Sequence, residues 1–391
     1  MYAQFAPHAE DYTGFKRLGS GRINEMDTLT QPDTLDREQT LRQQYYRDRL
    51  PEMRLLEKLI HKGGDAFRVE VLTEVLDGKA PEGGLVLPVY SLELGSTAKD
   101  APVLLLSGGV HGIERIGTQL LLAQLGTLIS RLKWDEGLNH SLTKMRLVMV
   151  PLVNPVGMAR GLRSNGQGVD LMRNAPVDAL APRPWLVSGH RYSRWLPWYR
   201  GRKGDPMEAE AEALCELVSR QIEHAPFTLA LDCHSGFGMR DRVWFPYAND
   251  LRMMEHAAEL HAMVRLFEKA HPNHPYLFEP QFHHYRTHGD LWDYLYSEHL
   301  ERAGQVFLPL TLEMGSWLWV KKNLRQLTSY KGLFNPLVPH RQKRTLRRHH
   351  LLLEFMINAV RSWQNWLPLE QERQRHHRNA ERRWLEEEKQ G

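Results

Sequence analysis

Short runs of consecutive apolar residues alternate along this chain with segments whose apolar residues recur at helical spacing. The run VLLL at 103–106 is apolar throughout, which is typical of a strand buried on both faces. After a glycine-rich stretch, apolar residues recur every three or four positions and predict a helix from about 113 to 132. The hydrophobic pattern therefore predicts that a buried strand gives way to a helix at this point.

The same two patterns recur over most of the chain. Further strands are predicted at 67–75, 84–94, 145–155, 227–234 and 308–313. Helices are predicted at 36–62 with an interruption at Pro51, at 208–223, and from about 340 onward. Strands that alternate with helices predict an α/β fold, and we expect one large domain with a central mixed, mostly parallel sheet flanked by helices.

The composition narrows the class of protein and its compartment. The 391 residues are 42% hydrophobic and 25% charged with a net charge of +4, which is ordinary for a globular protein and argues against a nucleic-acid partner. Cys215 and Cys233 are the only cysteines, which predicts a reducing compartment. No window approaches 18 apolar residues and the first residues have no apolar signal core, so we expect no membrane association and a cytoplasmic location.

Polar side chains stand where the predicted strands end. His111 and Glu114 have the i, i+3 spacing that brings two side chains together on one helical turn, while His234 and Glu313 close two other strands. Sites in parallel sheets form beyond the carboxyl ends of strands. Two histidines and a carboxylate suit zinc, although a single HxxE motif also arises by chance. Asp170 is a candidate to accept the second ring N–H of a ligand histidine.

Taken together, the motifs resemble those of the zinc carboxypeptidase family that contains carboxypeptidases A, B and T. The segments that carry the resemblance, in family order, are GGVHGIE, NPVGMARGLRSN, GVDLMRN, DCHSG, YRTHGDLWDY and LTLEMG. The resemblance implies a catalytic domain over residues 66–365. An N-terminal arm and helix at 1–65 would precede this domain, and a charged helical tail at 366–391 would follow it.

The family pattern implies a role for each of these polar residues. His111, Glu114 and His234 match the ligands of one zinc ion per chain, and Asp170 matches the carboxylate that orients the first histidine. Glu313 matches the general base and acid. The implied reaction is hydrolysis of an amide bond near the C-terminus of a peptide by a metal-activated water.

The resemblance also implies residues that contact the substrate. Arg163 matches the arginine that polarises the scissile carbonyl, Arg173 the arginine that binds the terminal carboxylate, and Tyr285 the family's mobile tyrosine. Two departures concern carboxylate recognition. Met172 stands where the family has an asparagine, and Ile113 replaces an arginine.

In the family, the residues just ahead of a conserved aspartate line the pocket for the last side chain of the substrate. The corresponding segment here is GDLWD at 289–293, in which Asp293 matches that aspartate. Asp290 would supply an acidic wall and Trp292 would shorten the pocket, which favours a compact basic side chain such as lysine or diaminopimelate. The alternative is that Asp290 only caps the following turn and never meets substrate.

Three other functions stay open at this point. A cytoplasmic murein-peptide amidase has the same motifs, and an aspartoacylase or succinylglutamate desuccinylase also uses HxxE and a later histidine. A binding module on an inactive fold is disfavoured because Glu313 accompanies all three ligands. The sequence predicts a peptide or cell-wall peptide as substrate and leaves open whether the protein forms a homo-oligomer.

Overall fold

The structure, a computed structural model, describes residues 32–180, 184–300 and 304–386. Residues 1–31, which hold most of the arm predicted at the start of the chain, lie outside the described residues. The described residues from Arg42 onward cluster into one compact unit.

Within the described ranges, eight strands form one mixed sheet in the order β1-β2-β4-β3-β5-β8-β6-β7. The strands are β1 (Arg68–Asp77), β2 (Leu85–Gly95), β3 (Val103–Gly108), β4 (Arg146–Val150), β5 (Phe227–Ser235), β6 (Arg242–Phe245), β7 (Leu277–Pro280) and β8 (Val306–Met314). Adjacent strands are parallel in the pairs β4–β3, β3–β5, β5–β8 and β6–β7, and antiparallel in β1–β2, β2–β4 and β8–β6. The predicted mixed, mostly parallel sheet is confirmed.

Helices surround this sheet. They are α1 (Pro32–Arg49), α2 (Pro51–Gly63), α3 (Arg115–Arg131), α4 (Glu136–Lys144), α5 (Pro155–Arg160), α6 (Ala209–Ile222), α7 (Ala257–Ala270), α8 (Leu291–His299), α9 (Trp317–Lys322), α10 (Tyr330–Phe334), α11 (Pro339–Arg361) and α12 (Glu370–Glu381). Every residue of β3 and β5 is buried, which is expected for central strands covered on both faces. No helix in these ranges has an apolar stretch long enough to cross a membrane.

Two predicted elements differ from the structure at their ends. The strand predicted to run to 155 stops at Val150, because Pro151 ends the pairing and Asn154 caps α5 by accepting from the Gly157 amide at 2.8 Å. The helix predicted from 113 begins at Arg115. The His111–Glu114 segment before it is a turn closed by the Glu114 amide donating to the His111 carbonyl at 3.0 Å.

The charged segment at the end of the described chain packs on the domain. Helix α12 lies against α7, where Arg373 pairs with Glu259 at 2.7 Å. The buried indole of Trp384 donates to the Phe278 carbonyl of β7 at 2.8 Å. Residues up to Glu386 therefore contribute to the packing of the β7 edge.

Candidate metal centre and substrate pocket

Three central strands deliver the site residues to one edge of the sheet. His111 follows the end of β3, His234 is the penultimate residue of β5, and Glu313 is the penultimate residue of β8. His234 and Glu313 are direct partners in the β5–β8 register. Parallel strands of neighbouring position bring their carboxyl ends together, so these side chains reach one pocket although they are far apart in sequence.

His111, Glu114 and His234 form a buried cluster whose candidate ligand atoms lie within 4.8 Å of one another. The Nδ1 atoms of the two rings are 3.1 Å apart. Glu114 Oε1 lies 2.9 Å from Nδ1 of His111, and Oε2 lies 3.0 Å from Nδ1 of His234. The predicted first helical turn is wrong in detail, because the turn before α3 brings His111 and Glu114 together.

The outer nitrogens of both rings determine what the inner ones can do. His111 Nε2 lies 3.1 Å from Asp170 Oδ1, and His234 Nε2 lies 2.7 Å from Asp232 Oδ2. An ionised carboxylate only accepts hydrogen bonds, so each Nε2 carries the hydrogen and each Nδ1 presents a lone pair. The two Nδ1 atoms and the two Glu114 carboxylate oxygens then place four lone pairs close together. A cation bound among them would remove the repulsion between these lone pairs.

The protonation equilibria indicate the same need for positive charge. Burial opposes the charged form of His234, but Asp232 and Glu114 outweigh it and raise the pKa of this imidazole well above its ordinary value. Burial also opposes ionisation of Glu114, yet His111 and His234 outweigh it and lower the pKa of this carboxyl. Two nitrogens and one carboxylate that converge on a pocket fit a zinc ion with an open coordination position.

Asp232 is a functional candidate that the sequence analysis missed. Besides His234, it accepts a hydrogen bond from Ser107 Oγ at 2.9 Å and one from Trp292 Nε1 at 3.1 Å. It therefore does for His234 what Asp170 does for His111. The signal was present in the chain, because a residue two positions before His234 on a strand points to the same face.

Glu313 and Arg163 lie in the same pocket as the cluster. In the part of the chain that the structure describes, the Glu313 carboxylate makes no hydrogen bond or ion pair. Burial and then the charge of Glu114 raise the pKa of Glu313 to about 8. Arg163 is oriented by its Nε donating to Asp170 Oδ2 at 2.9 Å, and its Nη1 lies 3.4 Å from Glu114 Oε1.

The other lining residues form a pocket beside the cluster. They are Met172, Arg173, Trp244, Gln281, Tyr285, Asp290 and Thr311. The guanidinium carbon of Arg173 lies 5.9 Å from the centre of the Tyr285 ring, and the buried Nε of Arg173 has no partner. Trp244, Gln281 and Thr311 were not predicted, although Thr311 shares a strand face with Glu313.

Asp290 caps a helix and also lines the pocket. Its Oδ1 caps α8 by accepting from the amides of Trp292 at 3.0 Å and Asp293 at 3.1 Å. Its buried Oδ2 has no partner, and the residue lines the pocket. Trp292 does not line the pocket as predicted, because its indole donates to Asp232, the carboxylate that contacts His234.

An α/β domain with two histidines, a glutamate and an unpaired carboxylate at its strand ends has the architecture of a metal-dependent hydrolase. The model of one protein family, described as zinc carboxypeptidase, matches residues 78–316. The chain therefore belongs to the zinc carboxypeptidase family.

Curated relatives match less than half of this chain. Rat carboxypeptidase D is 23% identical over 189 residues, which cover 47% of this chain and 12% of the relative. Carboxypeptidase E of Caenorhabditis elegans is 26% identical over 182 residues, which cover 43% of this chain and 37% of the relative. The chain thus spans only a minor part of the length of these relatives.

Solved structures share the fold at low sequence identity. Thrombin-activatable fibrinolysis inhibitor superposes with a TM-score of 0.57 at 18% identity, covering 78% of this chain and 72% of that chain. Carboxypeptidase A from Helicoverpa armigera also gives a TM-score of 0.57 at 18% identity, covering 78% of this chain and 71% of that chain. These likenesses support the fold.

Proposed function

We propose that this protein is a zinc-dependent carboxypeptidase that hydrolyses the amide bond next to the C-terminal residue of a peptide. The observation that carries the proposal is one pocket lined by the ligand cluster, by the unpaired Glu313 and by Arg173. Release of a C-terminal residue from a peptide, blocked by a chelator and restored by zinc, tests the proposal.

The polar residues at this edge of the sheet have separate tasks in the proposed reaction. His111, Glu114 and His234 would hold one zinc ion per chain, which would supply Lewis acidity and lower the pKa of a water molecule. Glu313 would accept the proton of the attacking water and deliver it to the leaving nitrogen. This role needs an ionised carboxylate that faces the pocket, and the positive charge of a metal ion at the cluster would favour ionisation of Glu313.

Arg163 supports the charge that develops on the scissile carbonyl oxygen. Asp170 fixes the guanidinium from one side, so its orientation is set before substrate arrives. Preorganised donors of this kind stabilise an oxyanion without reorganising during the reaction, and removing one such donor typically costs ~10²–10³ in turnover. Asp170 therefore orients both a ligand histidine and the oxyanion donor.

Arg173 is the candidate for the terminal carboxylate of the substrate. It is buried, its Nε has no hydrogen-bond partner among the described residues, and its Nη1 donates to the Met172 carbonyl at 3.3 Å. A buried guanidinium without a carboxylate partner is costly, and an anionic ligand compensates it. A free C-terminus is the anion that every peptide offers.

Met172 tests this assignment, because it lines the pocket next to Arg173. We expect Met172→Asn to lower KM for peptides with a free C-terminus, since the amide adds a donor to a charged group. Such a hydrogen bond is worth ~1.5–3 kcal/mol, or about tenfold or more in binding. Steady-state kinetics give KM, with Met172→Leu as the control for side-chain volume. An unchanged KM for Met172→Asn would contradict binding of the terminal carboxylate of the substrate beside Arg173.

The pocket beside Arg173 favours a last residue that carries an amine. Asp290 offers one carboxylate oxygen that has no partner among the described residues, and Trp244 and Tyr285, whose ring centres are 6.1 Å apart, line the same pocket. A carboxylate and aromatic rings together suit a cation. Lysine and diaminopimelate have such a side chain.

Asp290→Asn should reduce the preference for basic C-terminal residues by about tenfold or more, the scale of one lost charged hydrogen bond. Asparagine is also a good N-cap, so α8 should keep its cap and the fold should survive. The measurement compares kcat/KM for peptides that end in lysine, diaminopimelate and phenylalanine. A preference for phenylalanine in the wild-type protein, unaltered by the substitution, would contradict the assignment.

One observation favours a cell-wall peptide as a second candidate substrate. Diaminopimelate has two carboxylates, either of which suits Arg173, and a side-chain amine that suits the Asp290 oxygen without a partner among the described residues. A cytoplasmic amidase that acts on such peptides would fit the two free, buried cysteines. Preferential cleavage of diaminopimelate peptides over lysine peptides separates this function from that of a general carboxypeptidase.

A further inference from the structure

Charge is distributed very unevenly along the second half of the chain. Between Glu313 and Glu354 there is no Asp or Glu, yet the segment holds nine Lys and Arg residues. The rest of the chain has 42 Lys and Arg against 47 Asp and Glu. The net positive charge of the protein is therefore concentrated in this one segment, and a concentration of this kind attracts anionic ligands.

The first part of this segment folds into three short helices, α9, a 3₁₀ helix at Leu324–Thr328 and α10, which pack on one another. We call residues 317–335 the rim lobe. Ser235 Oγ donates to the Phe334 carbonyl at 2.7 Å, and Asn335 Nδ2 donates to the Ile113 carbonyl at 2.8 Å. The rim lobe thus abuts the end of β5 and the His111–Glu114 turn, both of which carry metal ligands.

Four cations of the rim lobe are exposed: Lys321, Lys322, Arg325 and Lys331. In the described ranges, none of these four side chains has an acidic partner. Lys331 also approaches the Arg163 loop, since a side chain at Gly161 would begin 3.2 Å from its Cε. Positive charge therefore borders the candidate site on the side of the oxyanion donor.

Helix α11 extends the same surface. The Arg341 guanidinium donates to the carbonyls of Trp319 and Lys322, both at 3.2 Å, and so holds the first turn of α11 against α9. Lys343, Arg344 and Arg347 follow on exposed positions of α11 and have no ion pair in the part of the chain described. Exposed cations thus occur on the rim lobe and on the first turns of α11, two elements that Arg341 joins.

Apolar side chains are interspersed with these cations. Leu324 is 68% exposed, Leu327 59% and Tyr330 54%, all on the rim lobe. Such a density of exposed large apolar residues on one small element marks an interaction surface. The ligand that fits is anionic and has apolar groups to place against leucine and tyrosine.

We propose that the rim lobe and the first turns of α11 bind an acidic stretch of the substrate that lies upstream of the scissile bond. This inference rests on the proposed carboxypeptidase function. In this arrangement the last residue would occupy the pocket at Arg173 and the scissile bond would lie at the metal cluster. The preceding residues would then pass the His111–Glu114 turn, which the rim lobe contacts through Asn335. The positive charge of the rim lobe would select aspartate and glutamate there.

The test compares peptides that share one C-terminal residue and differ only in an upstream run of glutamate, glutamine or lysine. At low ionic strength, kcat/KM should be about tenfold or more higher for the glutamate peptide than for the glutamine peptide, the lower end of electrostatic steering. The difference should nearly vanish at about 1 M salt, where the screening length is about 3 Å.

The variant Lys321→Glu/Lys322→Glu should lose the preference for the glutamate peptide and still cleave the glutamine peptide at the wild-type rate. Lys321→Arg/Lys322→Arg should keep the preference. Lys133→Glu/Lys144→Glu is the matched control, because it makes the same charge change at exposed positions near the far ends of α3 and α4. This control should also keep the preference.

The outcomes separate this inference from the function on which it rests. Equal cleavage of all three peptides would overturn acidic docking and leave the carboxypeptidase function intact, whereas cleavage of none would overturn both. Vesicles of phosphatidylglycerol are the second probe. Binding to vesicles that Lys321→Glu/Lys322→Glu abolishes, together with no preference among peptides, would assign the surface to a membrane and contradict the proposal.

Discussion

Replacing Glu313 by glutamine should lower kcat by about 10²-fold or more while the protein still binds zinc, the scale of a lost general acid–base. Glutamine has the same shape, so the β8 strand and the pocket keep their packing, but it cannot accept a proton from water. KM should change little, because the group acts in the transition state. Steady-state kinetics and metal analysis of the same preparation give both readouts.

Glu279→Gln is the matched control for this substitution. Glu279 lies near the pocket, where it contacts His284 at 2.7 Å and Arg242 at 2.8 Å, but it does not line the pocket. Its loss should leave most of the turnover. Near-normal turnover in Glu313→Gln would show that another group moves the proton, and the role assigned to the end of β8 would fail.

Replacing His234 by alanine should remove the bound metal and with it the activity. Only two ligands would remain, and zinc sites in proteins with catalytic roles use three. Metal analysis after dialysis should find little zinc in the variant and about one zinc per chain in the wild-type protein. Asp232→Asn should be intermediate, because loss of a ligand's outer hydrogen bond typically weakens metal binding ~10–100-fold.

The control for this prediction is His284→Ala, which removes another imidazole near the pocket. His284 contacts Glu279 and the ring of Trp244 and lies outside the ligand cluster. The His284→Ala variant should retain its zinc. Full zinc occupancy in His234→Ala would mean that the two histidines and Glu114 are a polar cluster that does not hold the metal.

The site residues that could be predicted from the sequence lie at the ends of the regular central strands. His234 and Glu313 close long apolar runs, and such runs become the buried parallel strands β5 and β8 with little freedom in where they end. His111 and Glu114 were found by their spacing, although the local structure is a turn. The direction of the chain at the end of β3 brings these two side chains together, and the turn does this as well as a helical turn would.

Residues that depend on packing between distant segments were not predictable in the same way. Trp292 is next but one to the capping Asp290, and only the orientation of α8 against β5 decides that its indole faces Asp232 instead of the pocket. Strand β6 has four residues and pairs with both β8 and β7, so its register comes from tertiary contacts. Short elements carry too few periods for hydrophobic patterning to identify them.

The measurement that tests the central claim most directly is mass spectrometry of a peptide and its C-terminally amidated twin after incubation with the zinc-loaded protein. The account predicts that the free peptide loses its last residue, that the amidated peptide is cleaved far more slowly, and that a chelator stops the reaction. Equal cleavage of both peptides would contradict recognition of the terminal carboxylate by Arg173. Removal of the last residue at an undiminished rate by metal-free protein would contradict the zinc-dependent mechanism itself.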